Sequence, residues 1–347
     1  MGIQSQETTS TIRKVFMWQL KNLPGTFVRL SGRREKIFNS GWIRSVFFVG
    51  VMAAWQMTRD KKYLEAALKW AEQNRWLPGS RARLADDHCA GQVYAELYLI
   101  YKDKKMIQAI QKTFDRIIAA PRQGKKEWWW SDALFMAPPV LARLSNATGD
   151  LQYLDFMNSL WWDTHKFLYD KECHLFFRDK NFIVKPDGAG PREKNGQKIF
   201  WARGNGWVMA GIVRVLQFMP TDYPDRRKFI QLLKEMTASV SKLQHADGLW
   251  RASLLDPDNF PERETSGTAL FCYAIAWGIN NGILNREIYL PVVKNAWQGL
   301  VGCLDQAGML GWVQLPGDGA RSVTRTDSME YGTGVFLMAG SEIIKFS

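Results

Sequence analysis

Residues 41–76 read GWIRSVFFVGVMAAWQMT-RD-KKYLEAALKWAEQNRW. Up to Thr58 the stretch is apolar with small residues interspersed, the pattern of a helix buried on all sides. After the Arg59-Asp60 turn, apolar residues recur at i, i+3 and i+4, the pattern of an amphipathic helix with one solvated face. A buried helix joined by a tight turn to an amphipathic one is a helical hairpin, and the hairpin recurs. Residues 87–101 pair with 104–118, 132–146 with 151–165, 206–218 with 226–243, and 265–280 with 286–304. Even the turns rhyme, TRDKKYL at 58–64 against TGDLQYL at 148–154.

Two helical segments are left over, an amphipathic one at 12–23 and a small-residue one at 331–345. Repeats of this length stack into an array. An open array needs polar caps at its ends, and neither leftover segment has a capping face. Closure is therefore expected, with the two leftovers forming a sixth pair. The fold read from the pattern is all-α, an (α/α)6 toroid in one domain over 1–347, with small-residue helices inside and amphipathic ones outside. Strand signals are few: HLFFRD (174–179) and GLWRASL (248–254) alternate like short rim strands. The segment PDGAGPREKNGQ (186–197) reads as a mobile Gly/Pro-rich loop.

The bulk numbers narrow the function. Net charge is +12, which favours anionic partners, yet the basic residues are scattered and no nucleic-acid motif is present. A small acidic oligosaccharide fits better than nucleic acid or a membrane; no apolar run suits a membrane-spanning helix. Oligomeric state is left open. The polar start MGIQSQETTST lacks a signal-peptide core, so the chain reads as cytoplasmic as given, or periplasmic if an export signal was trimmed. Cys89, Cys173, Cys272 and Cys303 show no framework spacing and read as free thiols. With His88, His165, His174 and His245 equally dispersed, no metal cluster emerges. The 16 tryptophans suit both a packed core and the walls of a sugar pocket.

In a ring of hairpins every inner helix runs the same way, so all inner-helix N-termini open on one rim. The residues collected there are Ala85-Asp86-Asp87-His88, Trp130-Ser131-Asp132, Trp201 to Trp207 (WARGNGW), Glu264-Thr265-Ser266-Gly267 and Met329-Glu330-Tyr331-Gly332. Acidic residues at helix starts also serve as plain caps, which is the competing reading for Asp86, Glu264 and Glu330. Capping accounts for neither the tryptophans nor Arg203, because an arginine at a helix N-terminus opposes the dipole. Arg203 with Asn205, Trp201 and Trp207 reads as a grip for a carboxylated sugar, with simple pairing to an aspartate as the alternative. Asp132 follows Trp128, Trp129 and Trp130, and apolar surroundings raise a carboxyl's pKa. A carboxylic acid held protonated near neutrality is equipped for general acid catalysis.

These motifs resemble glycoside hydrolase family 105, the unsaturated rhamnogalacturonyl hydrolases, and more distantly family 88, the unsaturated glucuronyl hydrolases. The matching segments are ADDHCAGQVYAELY, WWWSDALFMAPPVLARLSNATGD, FWARGNGWVMAGIVRVL, DGLWRASLLDP, ETSGTALFCYAIAWGI and YGTGVFLMAGSEI, in the family's order from about Gly41 onward. The resemblance implies the six-hairpin toroid and an unusual chemistry. Lyases leave a 4,5-unsaturated uronic acid at the non-reducing end of an oligosaccharide. These enzymes hydrate its C4=C5 double bond instead of attacking the anomeric carbon, and they use no metal or organic cofactor. The resemblance makes Asp132 the general acid/base, with Trp130 and Met136 lining the subsite. It maps the second carboxylate to Asp87, with Asp86 one position away and His88 beside it. Arg203 and Trp207 match substrate-contacting positions, and Glu264, Thr265 and Ser266 fall in a further matching motif. Where some members carry a histidine near the uronate, this chain has Arg178. An inverting glycosidase and an inactive sugar-binding protein are the rival readings, since a fold alone does not fix chemistry.

Overall fold

The computed structural model describes residues 3–29, 32–185 and 187–346. Pro186, the first residue of the loop expected at 186–197, lies outside them, as do Met1 and Gly2 of the polar start. Helix α1 (Ile3–Lys21) and a small hairpin of β1 (Thr26–Val28) and β2 (Arg34–Lys36) precede the first couplet, α2 (Trp42–Thr58) and α3 (Lys61–Gln73). Short α4 (Ala85–His88) leads into α5 (Ala90–Tyr101) and its mate α6 (Lys105–Ala119). The next couplet opens with α7 (Gly124–Glu127) and α8 (Ala133–Met136) and comprises α9 (Pro138–Thr148) and α10 (Gln152–Leu168). Strands β3 (Tyr169–Asp170) and β4 (Leu175–Phe176) follow, then α11 (Ala202–Leu216) with α12 (Arg226–Ser241) and α13 (Thr265–Asn280) with α14 (Arg286–Val301). Helix α15 (Glu330–Ile343) comes last and packs on α1, the expected sixth pair.

The ring closes. Helix α2 packs on α5, α5 on α9, α9 on α11, α11 on α13, α13 on α15, and α15 returns to α2. Helices α11 and α15 are buried along their whole length and α13 up to its last residue, Asn280, as their lack of a polar face requires. Small residues let these inner backbones approach: a Cβ on Gly50 of α2 would overlap the Gly334 backbone of α15. The outer helices bury one stripe each. On α6 it is Met106, Ile107, Ile110, Phe114 and Ile117, each worth roughly 1.5–3 kcal/mol on full burial. The chain is thus an (α/α)6 toroid, and among the described residues no helix is long and apolar enough to cross a membrane.

Departures from the pattern lie on the rim. The helix expected at 87–101 breaks at Cys89, and the one at 132–146 breaks at Ala137, ahead of Pro138-Pro139. Proline supplies no N–H to extend a helix backwards and favours a helix start. Both breaks leave a one-turn helix at the rim, carrying Asp86 in α4 and Asp132 at the start of α8. Of HLFFRD only Leu175–Phe176 pairs as a strand, and GLWRASL makes only the isolated bridges Trp201–Ser253 and Trp250–Glu264. The β1–β2 hairpin, with Phe27 opposite Glu35, was not expected. Its sequence is too charged to show the alternation that signals a strand.

One buried polar network ties three inner helices together beneath the rim. Glu96 accepts from Arg143 Nε and Arg214 Nη2, both at 2.7 Å. Arg214 Nε donates to Gln92 Oε1 at 2.9 Å, and Gln92 Nε2 donates to the Phe135 carbonyl at 2.8 Å. Both arginines share this one carboxylate, and burial together with the Arg214 charge pulls the Arg143 pKa down to about 10. The network reaches α8 one turn from Asp132.

Candidate active site

A cavity of about 980 Å³ opens on the rim where the inner-helix N-termini collect. Asp86, Asp87, Trp130, Asp132, Met136, Arg178 and Arg203 line it. Asp132 sits at the N-cap position of α8 but makes no capping hydrogen bond. Its side chain is 14% exposed, accepts from Ser131 Oγ at 3.1 Å, and lies 3.8 Å from Arg178 Nε. Burial raises the Asp132 pKa, and Arg178 and Arg203 oppose the rise.

Asp86 is the carboxyl coupled to it. Burial and the negative charge of Asp132 push Asp86 up to about 7, and no side chain among the described residues hydrogen-bonds to its carboxyl. Two carboxyls so placed titrate as a pair, and near neutrality they hold one proton between them. Asp87, the position the motif favoured, is otherwise engaged. Its oxygens take Arg81 Nη2 at 2.6 Å and the Arg81 backbone N–H at 2.7 Å. Gly79 packs so closely on that carboxyl that a Cβ there would overlap it. The geometry makes Asp87 an anchor for the 79–81 loop and leaves Asp86 free to meet Asp132.

The three tryptophans divide. Trp130, buried and bridged to Asp179, lines the cavity. Trp129 is 41% exposed and carries the Arg178 guanidinium 5.5 Å above its ring. Trp128 is buried in the hairpin core, its carbonyl held by Thr164 at 3.1 Å. Arg178 also donates from Nη1 to Asp179 at 2.5 Å, which fixes the guanidinium beside Asp132. Arg203 is buried, stacked between Trp201 (4.5 Å) and Tyr331 (5.2 Å), and holds the carbonyls of Gln314 and Leu315. Its Nε and that of Arg178 are buried with no hydrogen-bond partner among the described residues.

Eight of the rim residues stand behind the wall. His88 Nε2 meets the Ala82 carbonyl at 2.8 Å, its ring packs on Phe114, and burial pulls its pKa down to about 4. Trp201 donates to Gln314 Oε1 at 2.9 Å. Asn205 ties Phe176 to α11, accepting its N–H at 2.7 Å and donating to its carbonyl at 3.1 Å. Trp207 packs edge-on against Trp42 and tilted against Phe135. Glu264 is a true cap, accepting from the N–H groups of Ser266 and Gly267 at 2.8 and 2.7 Å. Thr265 holds the Gly311 carbonyl at 2.8 Å, and Ser266 Oγ lies 3.5 Å from Arg203 Nη1. Glu330 is bound by Arg44 through two bonds of 2.8 Å. These groups position the wall and do not face the cavity.

The outer half of the cavity comes from segments that sequence reasoning did not single out. Phe27 and Lys36 of the β1–β2 hairpin, Phe38, the turn at Arg75, and Gly317-Asp318 all line it. Loops carry no periodicity, so nothing in the sequence marked them.

Comparison with known proteins follows the same lines. The family model described as Glycosyl Hydrolase Family 88 matches residues 11–347. An unsaturated 3S-rhamnoglycuronyl hydrolase of Formosa agariphila is 38% identical over 319 residues, 88% of this chain and 84% of that protein. A protein of the same name from Alteromonas sp. is 32% identical, over 99% of this chain and 88% of its own length. The solved structure of a glycosyl hydrolase family 88 protein from Bacteroides vulgatus superimposes with a TM-score of 0.89 at 30% identity, covering 99% of each chain.

Proposed function

The chain belongs to Glycosyl Hydrolase Family 88, and from that premise we propose that it hydrates the C4=C5 double bond of a 4,5-unsaturated uronic acid at the end of an oligosaccharide. The single observation that carries the reading is the Asp86–Asp132 pair: two desolvated carboxyls beside Arg178, in a cavity of sugar size. The one proton held by the Asp86–Asp132 pair is delivered to C4 through Asp132, and positive charge develops at C5 and the ring oxygen. Water adds at C5 and gives its proton to the carboxylate pair, which restores the starting state. The hemiketal so formed opens, releasing the neighbouring sugar and a keto-aldehyde. Arg178 and Arg203, whose unpartnered Nε groups are buried at the cavity wall, take the uronate carboxylate, the pairing for which guanidinium geometry is suited. Trp130 and Met136 pack on the sugar ring.

The relatives from Formosa agariphila and Alteromonas sp. are named for a 3S-rhamnoglycuronyl substrate. We read the neighbouring sugar here as a rhamnose bearing a sulfate, which agrees with a net charge of +12. The test is optical. Hydration removes the conjugated double bond, so ultraviolet absorbance of a lyase-generated disaccharide should fall with time. Asp132→Asn should slow that fall by about 100- to 10,000-fold while binding is retained. An absorbance that rises would identify a lyase, and equal cleavage of a saturated oligosaccharide an inverting glycosidase; either outcome would overturn the proposal.

A further inference from the structure

We propose that Arg75 and Lys36, which line the cavity together with the exposed ring of Phe38, form a second anion subsite, which holds a negatively charged substituent beyond the unsaturated uronate. The inference rests on the hydratase reading and assigns residues to its outer half. Four other cationic side chains line the cavity, and each is engaged. Arg29 pairs with Glu35 at 2.8 Å and Arg81 with Asp87 at 2.6 Å. Arg178 is bound to Asp179, and Arg203 holds two backbone carbonyls. Lys36 and Arg75 have no carboxylate within reach among the described residues. Lys36 Nζ lies 5.5 Å from the centre of the Phe38 ring.

The two sides are fastened together. Asn39, next to Phe38, donates to Asn74, next to Arg75, at 2.7 Å, and Trp70 Nε1 donates to the Asn39 carbonyl at 2.9 Å. Phe38 and Leu77 are 63% and 52% exposed, large apolar surfaces left open at a cavity mouth. An aromatic face with one free cation against it and a second lining the same cavity suits a sugar ring that carries an anion.

The backbone turns sharply at Arg75. Helix α3 ends through Arg75 and Trp76, both left-handed, at φ 55° and 61°. A glycine is usual at such an end, and a side-chain-bearing residue there costs roughly 1–2 kcal/mol. The strain is held by Trp76, which is buried edge-on against Tyr94, while Tyr94 Oη donates to the Leu77 carbonyl at 3.1 Å. Arg59 and Lys102 end α2 and α5 in the same conformation, so it serves as a helix stop in this chain; at Arg75 that stop falls at the cavity.

The test uses three substrates with the same unsaturated end: an unsulfated uronyl-rhamnose, its sulfated counterpart, and an unsulfated tetrasaccharide whose next charge is a uronate. Arg75→Gly relieves the backbone strain, so its melting temperature should not fall and a folding defect is excluded; Lys36→Gln is the second variant. Each should lower the ratio of kcat/KM for the charged over the uncharged substrate roughly tenfold, chiefly through KM. Loss of preference for the sulfated disaccharide identifies a sulfate as the ligand, and loss confined to the tetrasaccharide identifies a carboxylate. Unchanged ratios in both variants overturn the subsite while leaving the hydratase reading intact. A wild-type protein that consumes none of the three removes that reading, and the subsite with it.

Discussion

Asp132 lies near enough to Asp86 for its negative charge to help lift the Asp86 carboxyl to about 7. The coupling fixes a pH dependence with a definite sign. Protonating C4 requires one proton on the pair, so kcat/KM should fall as pH rises above about 7. In Asp86→Asn the carboxyl lifted to about 7 is gone, Asp132 must hold the proton alone with Arg178 and Arg203 pulling its pKa down, and the alkaline limb should move to lower pH. A profile for Asp86→Asn that superimposes on wild type, apart from its height, would separate the two carboxyls.

Arg178 tests the same pair from the opposite side. Its guanidinium is the largest influence lowering Asp132 and also lowers Asp86. Arg178→Gln should therefore move the alkaline limb to higher pH, opposite to Asp86→Asn. It should also raise KM by about tenfold or more, since a charged hydrogen bond contributes ~1.5–3 kcal/mol. Shifts of both variants in one direction would sink the assignment of Arg178 beside the acid.

What was legible beforehand follows from what periodicity can encode. The alternation of all-apolar and amphipathic helices is set by which faces are buried, so the ring and its α1–α15 closure could be read from residues 12–23 and 331–345. That Asp132 lines the cavity was legible because three indoles beside one carboxyl are not what capping needs. The different surroundings of Asp86 and Asp87, both in the cavity wall, were not legible. They depend on Arg81, which reaches back from a loop to bind Asp87, and no pattern in ADDH records that. Asn205, Glu264 and Thr265 look like site residues in the sequence because polar groups at helix starts are alike there, whether they cap, brace a loop or face a ligand.

The pair should also cost stability. A carboxyl whose folded pKa is raised binds its proton more tightly when folded. Its contribution is therefore fully present below the unfolded value near 3.8 and is lost as pH rises through about 7. Asp86→Asn should then melt higher than wild type at pH 8, by on the order of 2 kcal/mol of unfolding free energy, and the gain should vanish below about pH 4. Thermal melts at the two pH values check this. A gain of equal size at both would mean that the substitution acts through packing, not through charge.

Ring closure makes the last prediction, because it joins the two ends of the chain. Gly50 of α2 and Gly334 of α15 meet backbone to backbone: a Cβ on the first would overlap the second's carbonyl, and a Cβ on Gly334 would overlap the Val46 carbonyl. Neither helix can shift alone, since α2 also packs on α5 and α15 on α13. Gly50→Ala and Gly334→Ala should therefore each destabilise by about 1–3 kcal/mol or more, despite alanine's better helix propensity. Gln108→Ala on the exposed face of α6 should change stability by less than about 0.5 kcal/mol. The strain should reach the site as well. Trp42 of α2 packs on Tyr331 of α15 at 4.9 Å, and the Tyr331 hydroxyl shares the Gln314 carbonyl with Arg203. KM for the unsaturated disaccharide should accordingly rise in both glycine variants. Urea melts and initial rates together check it, and a Gly334→Ala protein as stable as wild type would show that the inner helices do not touch along this seam.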